Sequence, residues 1–494
     1  MQAVDDRYEP RLTRMLEVIS GSTSFIILSF PVWGSLLWPE IAAYFIILFD
    51  VYWLYKSIGL AVNASRGYIM IRRANRVNWL EKARGLEHYE KLQHIIFVPT
   101  VNEPEEILHR TLTFFSSQEF DTKKINIVLA TEAKVPKQLE VCQELAKEFR
   151  DKLGKIWVTQ HTLADGEIIG KSSNLAYASQ VVKEDIERDG WDKNWVTATS
   201  CDADVSFHVK YFAKLSYDFL TNKHRYLRFW QGPILFYNNI WRVPMPVRVV
   251  NTVYSIGQLA YLMTPQTTFN YSSYSLSWKL LEEAGFWDVD VIPEDWHLFF
   301  KAFFSHKGQV DVESLPLPLY ADAAEGSGYW DSVKSNYLQV RRWAWGITDL
   351  AYAVRMYKNN RDVPFGNFAF RMARAIEHHV LWPVNFFIIT FGATIPTLVN
   401  PAFKQTALGF TLPGISGVIL TFALVGALSI VVLDLLLRPP RPESFSKWRV
   451  PFLVIQYIFM PVTAFIFGAF PGMDAHMRLI LGKRLEYKVT EKKA

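Results

Sequence analysis

Three short clusters hold the side chains best suited to chemistry. Asp202-Ala203-Asp204 sets two carboxylates two residues apart behind a β-rich run. Pro293-Glu294-Asp295-Trp296 pairs two acids, and Gln339-Val340-Arg341-Arg342-Trp343 follows further along the chain. Paired acids at a strand end can place one oxygen on a divalent ion and another on a sugar hydroxyl. Such hard oxygen ligands suit magnesium or manganese, with substrate phosphates completing the shell. A carboxylate beside a metal–diphosphate site can remove the proton of an attacking hydroxyl. An arginine can neutralise a departing diphosphate, and a tryptophan face can carry a sugar ring. Singly, each cluster has a plainer account. Two aspartates at this spacing arise by chance roughly once in a chain this long. Glu294 and Asp295 could cap a helix over 296–304, and Trp343 could be core.

Alternating elements must position these residues. β-rich runs at 94–98, 125–130, 156–159 and 195–199 are separated by helical stretches at 105–118, 138–153 and 173–188. That order predicts an α/β domain with a mainly parallel sheet and ligands at the carboxyl ends of the strands. The residues at those ends are Pro99 to Glu103, Thr131-Glu132, and Cys201 to Asp204. No glycine-rich phosphate loop of either common type occurs, which removes support for nucleoside triphosphate hydrolysis and dinucleotide redox chemistry.

The chain has 494 residues, 50% hydrophobic and 20% charged, longer than one ordinary soluble domain. Its mean hydropathy of +0.06 averages two populations. Runs at 18–38 and 41–62 are long enough for a hydrocarbon core of roughly 30 Å, and so are 380–399, 412–437 and 451–470. This predicts a two-helix anchor (1–64), a soluble domain (65–362), an amphipathic interfacial helix (363–379), and a C-terminal membrane domain with a basic tail (380–494). Arg66, Arg72, Arg73 and Arg76 follow the second run, and Arg438, Arg441, Lys447 and Arg449 follow the fourth. Both sites therefore read as cytoplasmic, in a multi-pass protein of the plasma or inner membrane. The basic C-terminal side asks for an even number of crossings, whereas five runs are present. Pro451, Pro461 and Pro471 leave the last one open to a re-entrant path, and five full crossings rank slightly ahead of four plus a re-entrant segment. Asp50 and Asp434 lie inside apolar runs, where a carboxylate marks a polar path or a paired site, and charge pairing within the bundle ranks ahead of lining a channel. Two cysteines, Cys142 and Cys201, exclude a disulfide scaffold. The near balance of 53 basic and 48 acidic side chains argues against nucleic acid as a partner.

In order, these residues resemble the family 2 glycosyltransferases of GT-A fold, in the membrane-embedded branch of cellulose, chitin and hyaluronan synthases and ceramide glucosyltransferase. VPTVNEP (98–104) looks like the opening strand and nucleotide loop, with Thr100, Asn102 and Glu103 on the donor side. Glu132 stands where the family commonly has a nucleotide-contacting aspartate. GKSSNLAYA (170–178) gives Lys171 and Asn174 donor roles, CDAD is similar to the metal motif, PEDW to the family's TED, and QVRRW fits QxxRW. Residues 270–285 resemble an acceptor-side segment. The departures are Glu132 for aspartate and proline for threonine before Glu294.

The resemblance implies an inverting transfer from a nucleotide sugar, a UDP-sugar ahead of a GDP-sugar. Asp295, with Glu294 beside it, would take the proton of the acceptor hydroxyl. Asp204 and Asp202 would hold magnesium or manganese, Gln339 and Arg342 would steady the leaving group, and Trp343 and Trp296 would contact the acceptor. Five or so spans favour a lipid acceptor, as in the ceramide glucosyltransferase type. Two spans before the domain and an interfacial helix favour a processive β-glycan synthase, and the balance tips to the synthase. A catalytically silent scaffold or transporter would show erosion of the acids and of QxxRW, and none is eroded here.

Overall fold

The computed structural model describes residues 9–264 and 268–485; the basic tail expected at the C-terminus lies mostly outside them. Four helical stretches are long and apolar enough to cross a membrane: Pro10–Leu37, Pro39–Asn75, Ala407–Leu437 and Lys447–Ile480. The first two, α1 (Pro10–Leu37) and α2 (Pro39–Asn75), part at Trp38 because Pro39 cannot continue a helix yet suits the first position of the next. α2 continues past the expected boundary at 64 to Asn75, which accepts a hydrogen bond from Lys210 Nζ (2.8 Å). The run at 380–399 is not one helix. It is broken into Asn385–Phe391 and Ile395–Val399 around Gly392 and Pro396.

Between the second and third of these apolar helices along the chain lies a seven-stranded sheet in the order β3-β2-β1-β4-β8-β6-β9. Its parallel half is β1 (Gln93–Pro99), β2 (Ile125–Glu132), β3 (Ile156–His161) and β4 (Val196–Ser200). β1 and β2 are buried almost throughout, as strands covered on both faces must be. Alternate residues feed opposite layers: Ile95 and Phe97 join one core, Ile96 and Val98 the other. The helices α3 (Glu105–Ser116), α4 (Pro136–Phe149) and α5 (Lys171–Arg188) cover this half. β8 (Tyr274–Ser277) then pairs antiparallel with both β4 and β6 (Arg228–Gln231), and β9 (Asp311–Ser314) runs parallel to β6. A second sheet joins the short β5 (Ser206–Phe207), β10 (Leu319–Tyr320) and β7 (Ile234–Leu235). Both cysteines are free and buried.

Six further helices are α6 (Met245–Tyr261), α7 (Glu294–Ser305), α8 (Tyr329–Ala344), α9 (Thr348–Asn359), α10 (Phe365–Val380) and α11 (Ala407–Leu437). α10 covers the predicted amphipathic helix. Phe368 and Met372 enter the domain core, and Arg371 is buried against Asp311 (3.0 Å), while Phe365, Phe370 and Ile376 stay exposed. One face is thus packed and the other bare, and Ile376 falls on the bare face.

α2 and α11 run side by side. A Cβ on Gly426 would come within 3.0 Å of Ser57 Cβ, so the small residue sets the close approach. Ser416 donates to Asp50 (2.5 Å) across this contact. Asp434 accepts from Tyr237 (2.9 Å), Tyr457 (2.6 Å) and Arg438, so its carboxylate ties α11 to the catalytic domain. The stretch Lys447–Ile480 mixes α, 3-10 and π turns around Pro461 and Pro471. Near its start Tyr457 reaches Asp434, and at its end the carbonyls of Leu479 and Ile480 accept from Arg14 of α1 (2.6 and 2.5 Å).

Candidate active site

The carboxyl ends of β1 and β4 open into a cavity of about 510 Å³. Four local arrangements aim side chains into it. Gly170, at φ +150°, turns the chain so that α5 begins with Lys171, and Asn174 follows on the same face. Asp202 to Asp204 leave the end of β4. Pro293 precedes α7, placing Glu294 and Asp295 in its first turn, where the helix dipole favours negative charge. On α8, Gln339, Arg342 and Trp343 lie at i, i+3 and i+4, so one face presents all three to the cavity. Arg341 points elsewhere and pairs with Asp474 (2.7 Å).

Lys171 is the electrostatic centre. Its Nζ lies 2.8 Å from Asp202 and 2.7 Å from Glu294, and it donates to the Ser272 carbonyl (2.5 Å). Burial pulls its pKa down, but Asp202 and Glu294 outweigh that and hold it well above the ordinary lysine value. Burial pushes the Glu294 carboxyl up to about 7, with Lys171 pulling against it. Asp295 is also raised by burial, while the N–H groups of Ser272 and Trp296 (both 2.9 Å) stabilise its ionised form.

Ser272 joins three motifs, and the sequence places it only within the acceptor-like segment 270–285. Its hydroxyl donates to Asp202 (2.5 Å), its N–H to Asp295, and its carbonyl receives Lys171. Its φ of +54° is a left-handed conformation that sequence periodicity cannot reveal. Asp322 is a second residue the sequence did not disclose. It pairs with Arg110 (2.8 Å), and its N–H donates to Asp204 (3.0 Å).

Eleven of the expected residues line the cavity: Glu103, Lys171, Asn174, Asp202, Asp204, Glu294, Asp295, Trp296, Gln339, Arg342 and Trp343. Three do not. Thr100 is fully buried, and its hydroxyl is shared between Glu103 (2.6 Å) and Gln138 (2.7 Å). Asn102 is solvent-exposed, with its N–H on Glu103 (3.1 Å), so Glu103 also staples its own loop. Glu132 lies behind the wall, within 3.4 Å of the Asn174 amide, which His161 also contacts at 3.2 Å. Its carboxylate meets the Asn174 amide and Lys134 (3.9 Å) rather than lining the cavity. Trp296 lines the cavity but is also stacked on Phe269 (4.2 Å between centroids), so packing holds it firmly. Trp343 packs against Phe236 and Tyr254.

Among the described residues no group of three or more His, Cys, Asp or Glu side chains could hold a metal alone. Asp202 and Asp204 provide two hard oxygen donors at one end of the cavity. They fit a cation whose other ligands come from water and substrate phosphate.

Residues 199–437 match the family model described as glycosyl transferase family group 2. That segment holds the acids of β4 and α7 and the arginine and tryptophan of α8, and it is similar to the family 2 glycosyltransferases. No curated protein sequence matches the chain. Among solved structures, the chain is similar to a mannosyltransferase, PcManGT, from Pyrobaculum calidifontis in complex with GDP-Man and Mn2+. That likeness has 14% identity and a TM-score of 0.45, over 79% of this chain and 99% of the other. TarS 1-349 from S. aureus, in complex with UDP-GlcNAc, is similar at 13% identity and a TM-score of 0.34, over 68% and 91% of the two chains.

Proposed function

We propose that the protein is an inverting, metal-dependent membrane glycosyltransferase that extends a saccharide, as a β-glycan synthase does. The observation that carries this reading is the position of Asp295. It lines the same cavity as Lys171, Asp202 and Asp204 and as Trp343 and Tyr254. In this reading the donor diphosphate sits near Lys171 and Arg342, and the acceptor sugar lies over Trp343. Asp202 and Asp204 would hold magnesium or manganese, which would supply positive charge against the diphosphate. Asp295 takes the proton of the acceptor hydroxyl as that oxygen attacks the anomeric carbon, and the nucleoside diphosphate departs on the opposite face. The resemblance to cellulose, chitin and hyaluronan synthases favours a uridine diphosphate sugar. Guanosine donors belong in the same screen.

The domain faces the cytoplasm, supported by the basic residues after α2 and α11. α1, α2, the broken path through 380–404 and α11 make four crossings. The stretch 447–480 is re-entrant, as the Tyr457–Asp434 and Arg14–Ile480 contacts at its two ends favour. This restores the even number that the basic C-terminal side demands.

The test is diphosphate release by the protein in lipid, supplied with a panel of nucleotide sugars and manganese. Asp295→Asn is expected to lower transfer by roughly 10²–10⁴-fold while nucleotide affinity stays nearly intact. Retained turnover removes Asp295 from the base role. Label recovered in high polymer supports the synthase, and label in the organic extract supports a lipid acceptor instead.

A further inference from the structure

The cavity continues beyond Asp295. Tyr254 and Gln258 of α6, Gly346, His378 and His379 of α10, and Trp382 extend its wall. His379 is 3% exposed, and neither of its ring nitrogens has a hydrogen-bond partner. The side-chain oxygens of Gln258 and Gln339 on the same wall are also buried and unpartnered. A buried polar atom left unpaired forfeits its hydration without compensation, so this wall is built for a ligand that pairs with it. The ring is fixed in place. Its centroid lies 4.7 Å from that of Trp296, and a Cβ on Gly346 would fall 2.8 Å from its Cε1, so only glycine leaves it room. Burial, with His378 adding to it, holds this imidazole well below the usual histidine value. It is therefore neutral, with one nitrogen donating and the other accepting, which complements a hydroxyl. Trp343, Trp382 and Tyr254 supply flat faces for sugar rings. An acyl chain in the same place would leave the imidazole and both amide oxygens unpaired.

We propose that His379 binds a hydroxyl of the acceptor sugar, so that this wall selects a saccharide end over an acyl chain. The proposal rests on the glycosyltransferase reading above and names the acceptor class of that site. Its test uses the full chain in lipid nanodiscs with manganese and donor, and hexose and N-acetylhexosamine di- to tetrasaccharides as acceptors. The same saccharides are titrated against tryptophan fluorescence without donor. His379→Phe is expected to raise both the acceptor KM and the dissociation constant by about tenfold or more, the value of one hydrogen bond to a buried partner. His379→Asn keeps a donor and an acceptor and is expected to recover most of that loss. An unchanged acceptor KM in His379→Phe, or equal losses in the two variants, overturns the proposal. Wild-type protein that glycosylates only lipids bearing no sugar also overturns it and leaves the transferase reading standing. Wild-type protein that releases no nucleoside diphosphate from any donor removes the transferase reading, and this proposal with it.

Discussion

Ser272 concentrates the site's dependence on single atoms. Its hydroxyl, N–H and carbonyl each serve a different motif, from a left-handed backbone at φ +54°. Ser272→Ala removes a hydrogen bond to the Asp202 carboxylate, worth roughly 1.5–3 kcal/mol, so kcat should fall by about tenfold or more in a diphosphate-release assay. Ser272→Gly relaxes the backbone but also loses the hydroxyl. A comparable fall there would assign the effect to the hydroxyl rather than to strain. The pH profile follows from burial. As the proposed base, Asp295 would work only when ionised, and burial raises its pKa from the ordinary aspartate value, so activity is expected to decline as pH falls through that raised value. Lys171 lowers the pKa of both Asp295 and Glu294. Lys171→Met therefore shifts the acid limb of the kcat profile to higher pH, besides weakening donor binding. An acid limb that stays in place would separate Lys171 from the base. At this scale the sequence disclosed the ionisable groups but not their company. The Glu132 carboxylate was legible as an acid at a strand end. Its turn toward Asn174 was not, because that depends on how α5 packs on β2.

α7 shows how an element holds its acids still. One turn below Glu294, His297 is buried between Asp288 (3.0 Å) and Asp349 (3.0 Å), which joins the segment before α7 to the helix α9 that follows α8. Burial would lower the His297 pKa, but hydrogen bonds to Asp288 and Asp349 raise it from 6.5 to about 9. A raised histidine contributes its stability in full below pH 6.5 and loses it as pH rises through about 9. Asp288, held down at about 2, loses its contribution only under strong acid, and burial lifts Asp349 to about 6. Thermal unfolding in detergent should therefore occur at lower temperature at pH 9.5 than at pH 7, and His297→Gln should flatten that difference. On the membrane side, Gly67 of α2 meets α6, where an added Cβ would lie 2.5 Å from Leu259. Gly67→Val is expected to cost about 1–3 kcal/mol by overpacking, and to lower activity because α6 carries Tyr254 and Gln258 of the cavity wall. The parallel strands and their helices were legible from β-rich runs and periodicity. β6, β8 and β9 were not: each has four residues, and their antiparallel and mixed pairing leaves no local signature.

For the whole molecule, the separation into long apolar and charge-bearing parts was legible from where charge is absent, and the described residues hold four helical stretches long and apolar enough to cross a membrane. The path at 380–399 was less legible, because apolar composition does not reveal the break around Gly392 and Pro396. The proposed topology makes a direct prediction. With the buried Cys142 and Cys201 replaced by serine, cysteines at Glu40 and Gln405 should react with an impermeant maleimide in intact cells. Cysteines at Lys447 and Lys483 should react only after permeabilisation. Labelling of Lys483→Cys from outside would turn the last stretch into a full crossing.

The grip of Arg14 on the carbonyls of Leu479 and Ile480 bears on biogenesis. These partners stand 465 residues apart along the chain. At about 5–20 residues per second, α1 leaves the ribosome roughly 20–90 s before its last partner exists. For that interval its inner face, including the Ser24 hydroxyl that will meet His476 and Val380, must be sheltered by the insertion machinery or by α2 alone. Assembly of the first helix is therefore among the last events of synthesis.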